Sequence, residues 1–165
     1  DTAGQEVTLW IDPAWSGKST IAGQGYDGLL PVKTTTVTVD EQVPRPVAGD
    51  RLLFKIDIEG FEPVAFRGMQ QTIEAAGRVV GFSEFGPRDL QRKGIDLEAY
   101  WAFLAEHFSI YSCCGIGQAV AIKTNNWSEA SGIIGDRHGD LILLKGFPPD
   151  EAQNLIDHWQ SEKQL

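Results

Sequence analysis

Three charged side chains recur at every second position in the segment Leu52-Leu53-Phe54-Lys55-Ile56-Asp57-Ile58-Glu59-Gly60. In an extended chain Lys55, Asp57 and Glu59 share one face, and Leu52, Phe54, Ile56 and Ile58 share the other. A further acid, Glu84, stands at the end of a second apolar run and is followed by Gly86-Pro87. Carboxylates delivered by strand ends suit proton abstraction and the orienting of a substrate group. Asp57 is the first candidate for that work, as orienter or base, and Glu84 approaches the same crevice from the neighbouring strand. Together they would also supply two oxygens to Mg²⁺, but most of the coordination sphere would fall to water and substrate. Direct acid–base use is therefore favoured and no metal is expected.

The neighbouring residues carry blander expectations. Lys55 lies about 6 to 7 Å along the strand from Asp57, a spacing that suits a structural ion pair. Gly60 serves the turn, and Glu62 is a helix N-terminal acid favoured by the macrodipole. His107 is a packing histidine within a helix. His138, in Gly135-Asp136-Arg137-His138-Gly139, falls in a polar loop, where contact with a substrate is weighed against simple solvation. Trp101 and Trp159 read as core, and Trp10, Trp15 and Trp127 as contact candidates near loops.

Strands and helices must carry these groups to one place. Val7, Leu9 and Ile11 alternate with polar or aromatic neighbours and predict a half-buried strand ending at Asp12-Pro13. Thr34 to Val39 predicts a second strand, closed by Asp40 and Glu41, and Pro44, Pro46 and Gly49 connect it to the Lys55 strand. A helix is expected over 62–76, opened by Pro63, stopped by Gly77, and packed closely at Gly68. Arg78 to Phe85 returns as a strand. Asp96 caps a helix whose Leu97, Tyr100, Trp101, Leu104 and Phe108 form an apolar stripe. Ser109 to Cys114, Gln118 to Lys123 and Leu141 to Leu144 are strand-like, the span 124–139 has no assignment, and Pro148-Pro149 leads into a last amphipathic helix with Ala152, Leu155, Ile156 and Trp159 on one side. The strand–helix alternation predicts an α/β fold built from parallel βαβ units, with the last two strands forming an antiparallel edge. Ligands of open α/β sheets bind at the carboxyl ends of the strands.

Bulk properties narrow the function. A chain of 165 residues suits one domain, 1–165, with a core of its own. A net charge of −9 disfavours a nucleic-acid backbone and an anionic membrane surface as partners. The only cysteines, Cys113 and Cys114, are adjacent, which suits neither a disulfide framework nor a zinc site and favours a reducing, cytoplasmic setting. No apolar run reaches transmembrane length, and the first residues do not resemble a signal peptide. With no initiator Met, the chain is expected to be a fragment or processed product. Ser16-Gly17-Lys18-Ser19-Thr20 suggests a phosphate loop, but that motif requires glycine where Asp12 stands.

Leu53-Phe54-Lys55-Ile56-Asp57-Ile58-Glu59-Gly60-Phe61-Glu62, followed by Phe66-Arg67-Gly68, resembles the signature of the FkbM-type methyltransferases. The likeness extends upstream to Thr36-Val37-Thr38-Val39-Asp40 and downstream to Val80-Gly81-Phe82-Ser83-Glu84, covering about residues 34 to 85. The resemblance implies a Rossmann-like, mostly parallel sheet that binds S-adenosylmethionine and passes its methyl group to a hydroxyl of a small-molecule or glycan acceptor. By position at the sheet's ligand edge, Asp57 and Glu84 are the catalytic candidates, Glu59 could bind cofactor or acceptor with Gly60 beside it, and His138 lies in a loop where acceptor contact is weighed against solvation. A family member also opens with a strand and a glycine-rich cofactor turn, for which Gly23-Gln24-Gly25-Tyr26-Asp27-Gly28 is a poor substitute. The chain is thus expected to be the C-terminal part of such a domain. A non-catalytic binding module on the same fold is the alternative.

Overall fold

The computed structural model describes residues 2–14, 19–21, 27–115, 117–136 and 138–162. In chain order the elements are β1 (Glu6–Ile11), β2 (Leu30–Thr35), α1 (Val39–Gln42), β3 (Arg51–Ile56), α2 (Glu62–Arg67), α3 (Gln70–Ala75), β4 (Arg78–Phe85), α4 (Pro87–Arg92), α5 (Leu97–His107), β5 (Ser109–Gly115), β6 (Gln118–Ile122), α6 (Trp127–Ile134), β7 (Gly139–Lys145) and α7 (Pro149–Glu162). β1 and β2 pair antiparallel as a separate ribbon, with Glu6 opposite Thr35 and Ile11 opposite Leu30. The other five strands form one sheet in the order β3-β4-β7-β5-β6.

That sheet is α/β but mixed, and it corrects the expectation of a mostly parallel, Rossmann-like arrangement. Only β3 and β4 are parallel neighbours, while β4–β7, β7–β5 and β5–β6 are all antiparallel. Nor do the last two strands pair with each other at an edge: β6 is the edge strand, bound to β5, and β7 lies inside the sheet between β4 and β5. The causes are local. A short connection through Gly117, at φ 68°, folds β5 and β6 into a hairpin. The segment after β4 contains α4 and α5, enough chain to set β5 one strand position away and leave a slot for β7. β7 fits that slot because Leu141 and Leu143 enter the core on one face of the sheet while Ile142 and Leu144 enter the core on the other. Two antiparallel steps leave β5 running in the same direction as β3 and β4.

The larger core joins the sheet to α2, α3, α5 and α6 through Phe66, Ile73, Val79, Phe85, Trp101 and Leu104. The smaller packs Tyr111, Ile142 and Leu144 against Ala152 and Ile156 of α7. Trp127, a contact candidate by sequence, instead packs with its ring centroid 5.5 Å from Phe85 and 5.8 Å from Trp101. Trp101 is fully buried and its Nε1 donates to the Thr124 carbonyl. Trp159 lies partly buried against the smaller core.

Two predicted elements are redrawn. The second strand occupies Leu30–Thr35, and the residues after it turn into α1, where Thr38 and Glu41 cap each other's backbone amides reciprocally. The expected helix over 62–76 is two short helices broken at Gly68-Met69. The Gly68 carbonyl leaves the helical ladder to accept from the Asp40 amide, and the Asp40 carboxylate accepts from Gln71 N, Thr72 N and Thr72 Oγ1 at the start of α3. Gly68 therefore serves a helix break rather than close packing inside a continuous helix. No helix among the described residues is long and apolar enough to cross a membrane.

Candidate functional site

β3 stops at Ile56, and residues 57–60 make a tight turn into α2. Glu59 has φ 58° and Gly60 has φ 86°, so two successive residues adopt left-handed backbone. For Glu59 that conformation costs about 1 kcal/mol or more, and Gly60 tolerates it without a side-chain clash. Glu62 offsets the cost: its Oε1 accepts from both Ile58 N at 3.1 Å and Gly60 N at 3.0 Å. Glu62 does stand in the first helical turn, as expected, but its carboxylate is 1% exposed and reaches back to bind the turn. Lys93, just after α4, donates to the Glu59 carbonyl and lies 4.9 Å from the centre of the Phe61 ring.

Because β3 and β4 are parallel, this turn lies beside the end of β4, where Glu84 faces the same side of the sheet as Val80 and Phe82. Oxygens of Asp57, Glu59 and Glu84 all fall within 4.8 Å of one another. The antiparallel entry of β7 adds a fourth group. Its register sets Asp140 opposite Glu84 and Gly139 opposite Phe85, which places His138 at the same edge. His138 Nε2 donates to Glu84 Oε1 at 2.5 Å, and its Nδ1 lies 3.5 Å from Asp89 Oδ2.

Two of these carboxylates, Asp57 and Glu84, have a basic side chain against them. Lys55 Nζ lies 2.7 Å from Asp57 Oδ2, the ion pair foreseen from their spacing. Hydrogen bonding and charge from Asp57 hold the Lys55 ammonium above its usual pKa, with Asp140 and Glu84 adding to the effect. Glu84 is held above the usual carboxylate range, first by burial, while His138 pulls the other way and the charges of Asp57 and Glu59 push it further up. The His138 ring is raised chiefly by its hydrogen bond to Glu84, against an opposing effect of burial and with help from Asp89.

All five residues singled out by sequence, Asp57, Glu59, Gly60, Glu84 and His138, thus meet at one end of the sheet. Four participants were not anticipated. Glu62 had a visible signal only as a first-turn acid, and Lys93, Asp89 and Asp140 had none, since their roles depend on the packing of α4 and the register of β7. Ser16 to Lys18 and the glycine-containing stretch 22–26 lie outside the described residues, as do Trp15 and Arg137. His107 packs on Phe103 at a ring-centroid distance of 4.5 Å, with Nδ1 2.8 Å from the Phe103 carbonyl oxygen. Burial pushes the Cys113 thiol up to about 11, which makes it a poor nucleophile; Cys114 is exposed and both thiols are free.

No protein-family model matches the chain, and neither does any curated protein or any solved structure.

Proposed function

We propose that this chain carries the proton-accepting side of an S-adenosylmethionine-dependent methyltransferase site that methylates a hydroxyl of a small-molecule or glycan acceptor in the cytoplasm. The observation that supports the reading is the convergence of Asp57, Glu59 and Glu84, the acids of the FkbM-like segment, within 4.8 Å at the ends of adjacent parallel strands. Transfer of a methyl group to oxygen is an in-line displacement, and the protein's tasks are alignment and removal of the acceptor proton. S-adenosylmethionine, when bound, supplies the methyl group on a cationic sulfonium.

The donor set suits those tasks. Glu59 is exposed at a turn that bends sharply through Gly60, and its carboxylate can accept from the ammonium or ribose hydroxyls of the cofactor. A carboxylate beside a sulfonium would favour the cationic ground state as much as the transition state, so Asp57 and Glu84 serve better on the acceptor. Asp57 orients the acceptor hydroxyl while paired with Lys55. Glu84 takes its proton, helped by a pKa already raised by burial. Calorimetric titration of S-adenosylmethionine into the protein tests the reading. Saturable binding by the wild type is expected, and a wild type that takes up no cofactor removes it.

One observation favours a second reading. Both catalytic candidates are already engaged, Asp57 by Lys55 at 2.7 Å and Glu84 by His138 at 2.5 Å, as they would be in a non-catalytic binding module. The same titration separates the two, because such a module has no use for the cofactor.

A further inference from the structure

Of Asp57, Glu59 and Glu84, Glu84 is the least exposed, its side chain being 14% accessible. Burial and the charges of Asp57 and Glu59 push its pKa upward, toward the protonated form. Its surroundings counter this. The His138 ring lies between two acids from different elements, Glu84 at the end of β4 on Nε2 and Asp89 of α4 on Nδ1. Space for the ring is built into the backbone: a Cβ on Gly86 would sit 2.9 Å from His138 Nδ1. A second tie between the same two segments, Arg88 Nη2 to Asp136 Oδ2 at 2.9 Å, holds the residues before His138 against α4. Glu84 Oε1 is therefore committed to the ring, and Oε2 takes no hydrogen bond among the described residues.

We propose that His138 is a positioning residue, set between Glu84 and Asp89, that fixes one oxygen of Glu84 and favours its ionised form. With Nε2 hydrogen-bonded to Glu84 and Nδ1 3.5 Å from Asp89, the ring faces a carboxylate on each side, which favours its protonated form. This changes the role suggested by its loop position, from contact with substrate to control of the group that meets substrate. Its catalytic consequence rests on the methyl-transfer reading above, but the placement itself does not.

Glu84 and His138 can be followed separately by side-chain carboxyl ¹³C and imidazole ¹⁵N NMR titrations of the wild type, His138→Gln and Asp89→Asn, with circular dichroism confirming that each variant folds. The groups facing the ring in this titration are Glu84 from β4 and Asp89 from α4, with the Arg88–Asp136 pair alongside and Asp57 and Glu59 acting on Glu84. His138→Gln is expected to raise the Glu84 midpoint by about one pH unit or more. Asp89→Asn is expected to lower the His138 midpoint. A Glu84 midpoint that does not move when His138 loses its charge overturns the proposal, because a merely structural histidine would leave it in place. Absence of S-adenosylmethionine binding by the wild type removes the methyl-transfer reading alone, since neither titration requires cofactor.

Discussion

Glu62 offers the sharpest test of how the site is held. Its Oε1 alone accepts from both Ile58 and Gly60, and the residue is almost wholly buried. Glu62→Ala leaves the buried Gly60 amide without a partner, at a cost of about 1–3 kcal/mol, while the partly buried Ile58 amide can be partly rescued by water at up to about 1 kcal/mol. Return of the carboxylate's own desolvation offsets some of this, so a net loss of about 2–3 kcal/mol is expected. In a chain of 165 residues that corresponds to a fall in Tm of about 4–12 °C. Glu62→Gln provides the control, because it keeps an oxygen at the Oε1 position and removes only the charge; its expected cost is about 1 kcal/mol. Urea unfolding of the three proteins gives the energies, and hydrogen exchange at the Gly60 amide gives the local effect. In Glu62→Ala that amide should exchange much faster, and the turn carrying Asp57 and Glu59 should loosen with it. A Glu62→Gln protein as damaged as Glu62→Ala, or a Gly60 amide equally protected in all three, would refute the account of two amides held by one oxygen.

Two other expectations follow from the same kind of contact. Lys145 Nζ donates to the carbonyls of Ile73, Glu74 and Ala76 at 2.8, 3.0 and 2.7 Å, closing the C-terminal end of α3; Lys145→Met should cost about 2 kcal/mol in urea unfolding. The His138–Glu84 pair should make stability pH-dependent: it raises the His138 pKa above the ordinary 6.5, while on Glu84 the ring acts downward against the larger effect of burial. For His138 the raised value means that the folded state holds its proton longer, so its contribution is complete below the unfolded pKa and disappears as pH rises through the folded one. The Tm difference between wild type and His138→Gln should therefore be largest near about pH 6 and shrink steadily on the alkaline side of about 6.5. A difference that grew with pH would contradict that sign.

Much of the frame could be read from local pattern. Arg78 to Phe85 is a strand over the expected residues, Asp96 caps its helix by accepting from Ala99 N, and the Lys55–Asp57 pair follows from period-two spacing. The meeting of Asp57 with Glu84 was also legible, since both acids end consecutive strands joined by a helical crossover. Strand order and direction were not. Periodicity shows which face a side chain takes but not which neighbour its strand acquires. The run Leu141 to Leu144 did contain a clue: four successive buried apolar residues suit a strand covered on both faces, which places β7 inside the sheet and not at its edge.

That single misplacement has the largest consequence for the site. A strand added at the far edge would leave the residue before it remote from β4. Inserted antiparallel beside β4, β7 begins where β4 ends, and His138 arrives at Glu84 because of its direction. Asp140 follows two residues later and adds its charge near Lys55. The finding that overturned the parallel sheet therefore also brings the His138 ring to Glu84. His138 had no distinguishing mark in the sequence beyond its residue type, since the ring acquires its two carboxylate partners only through the register of β7 and the start of α4. Local pattern was enough to find the acids, but the ring that bonds Glu84 reaches it only through the order of the strands.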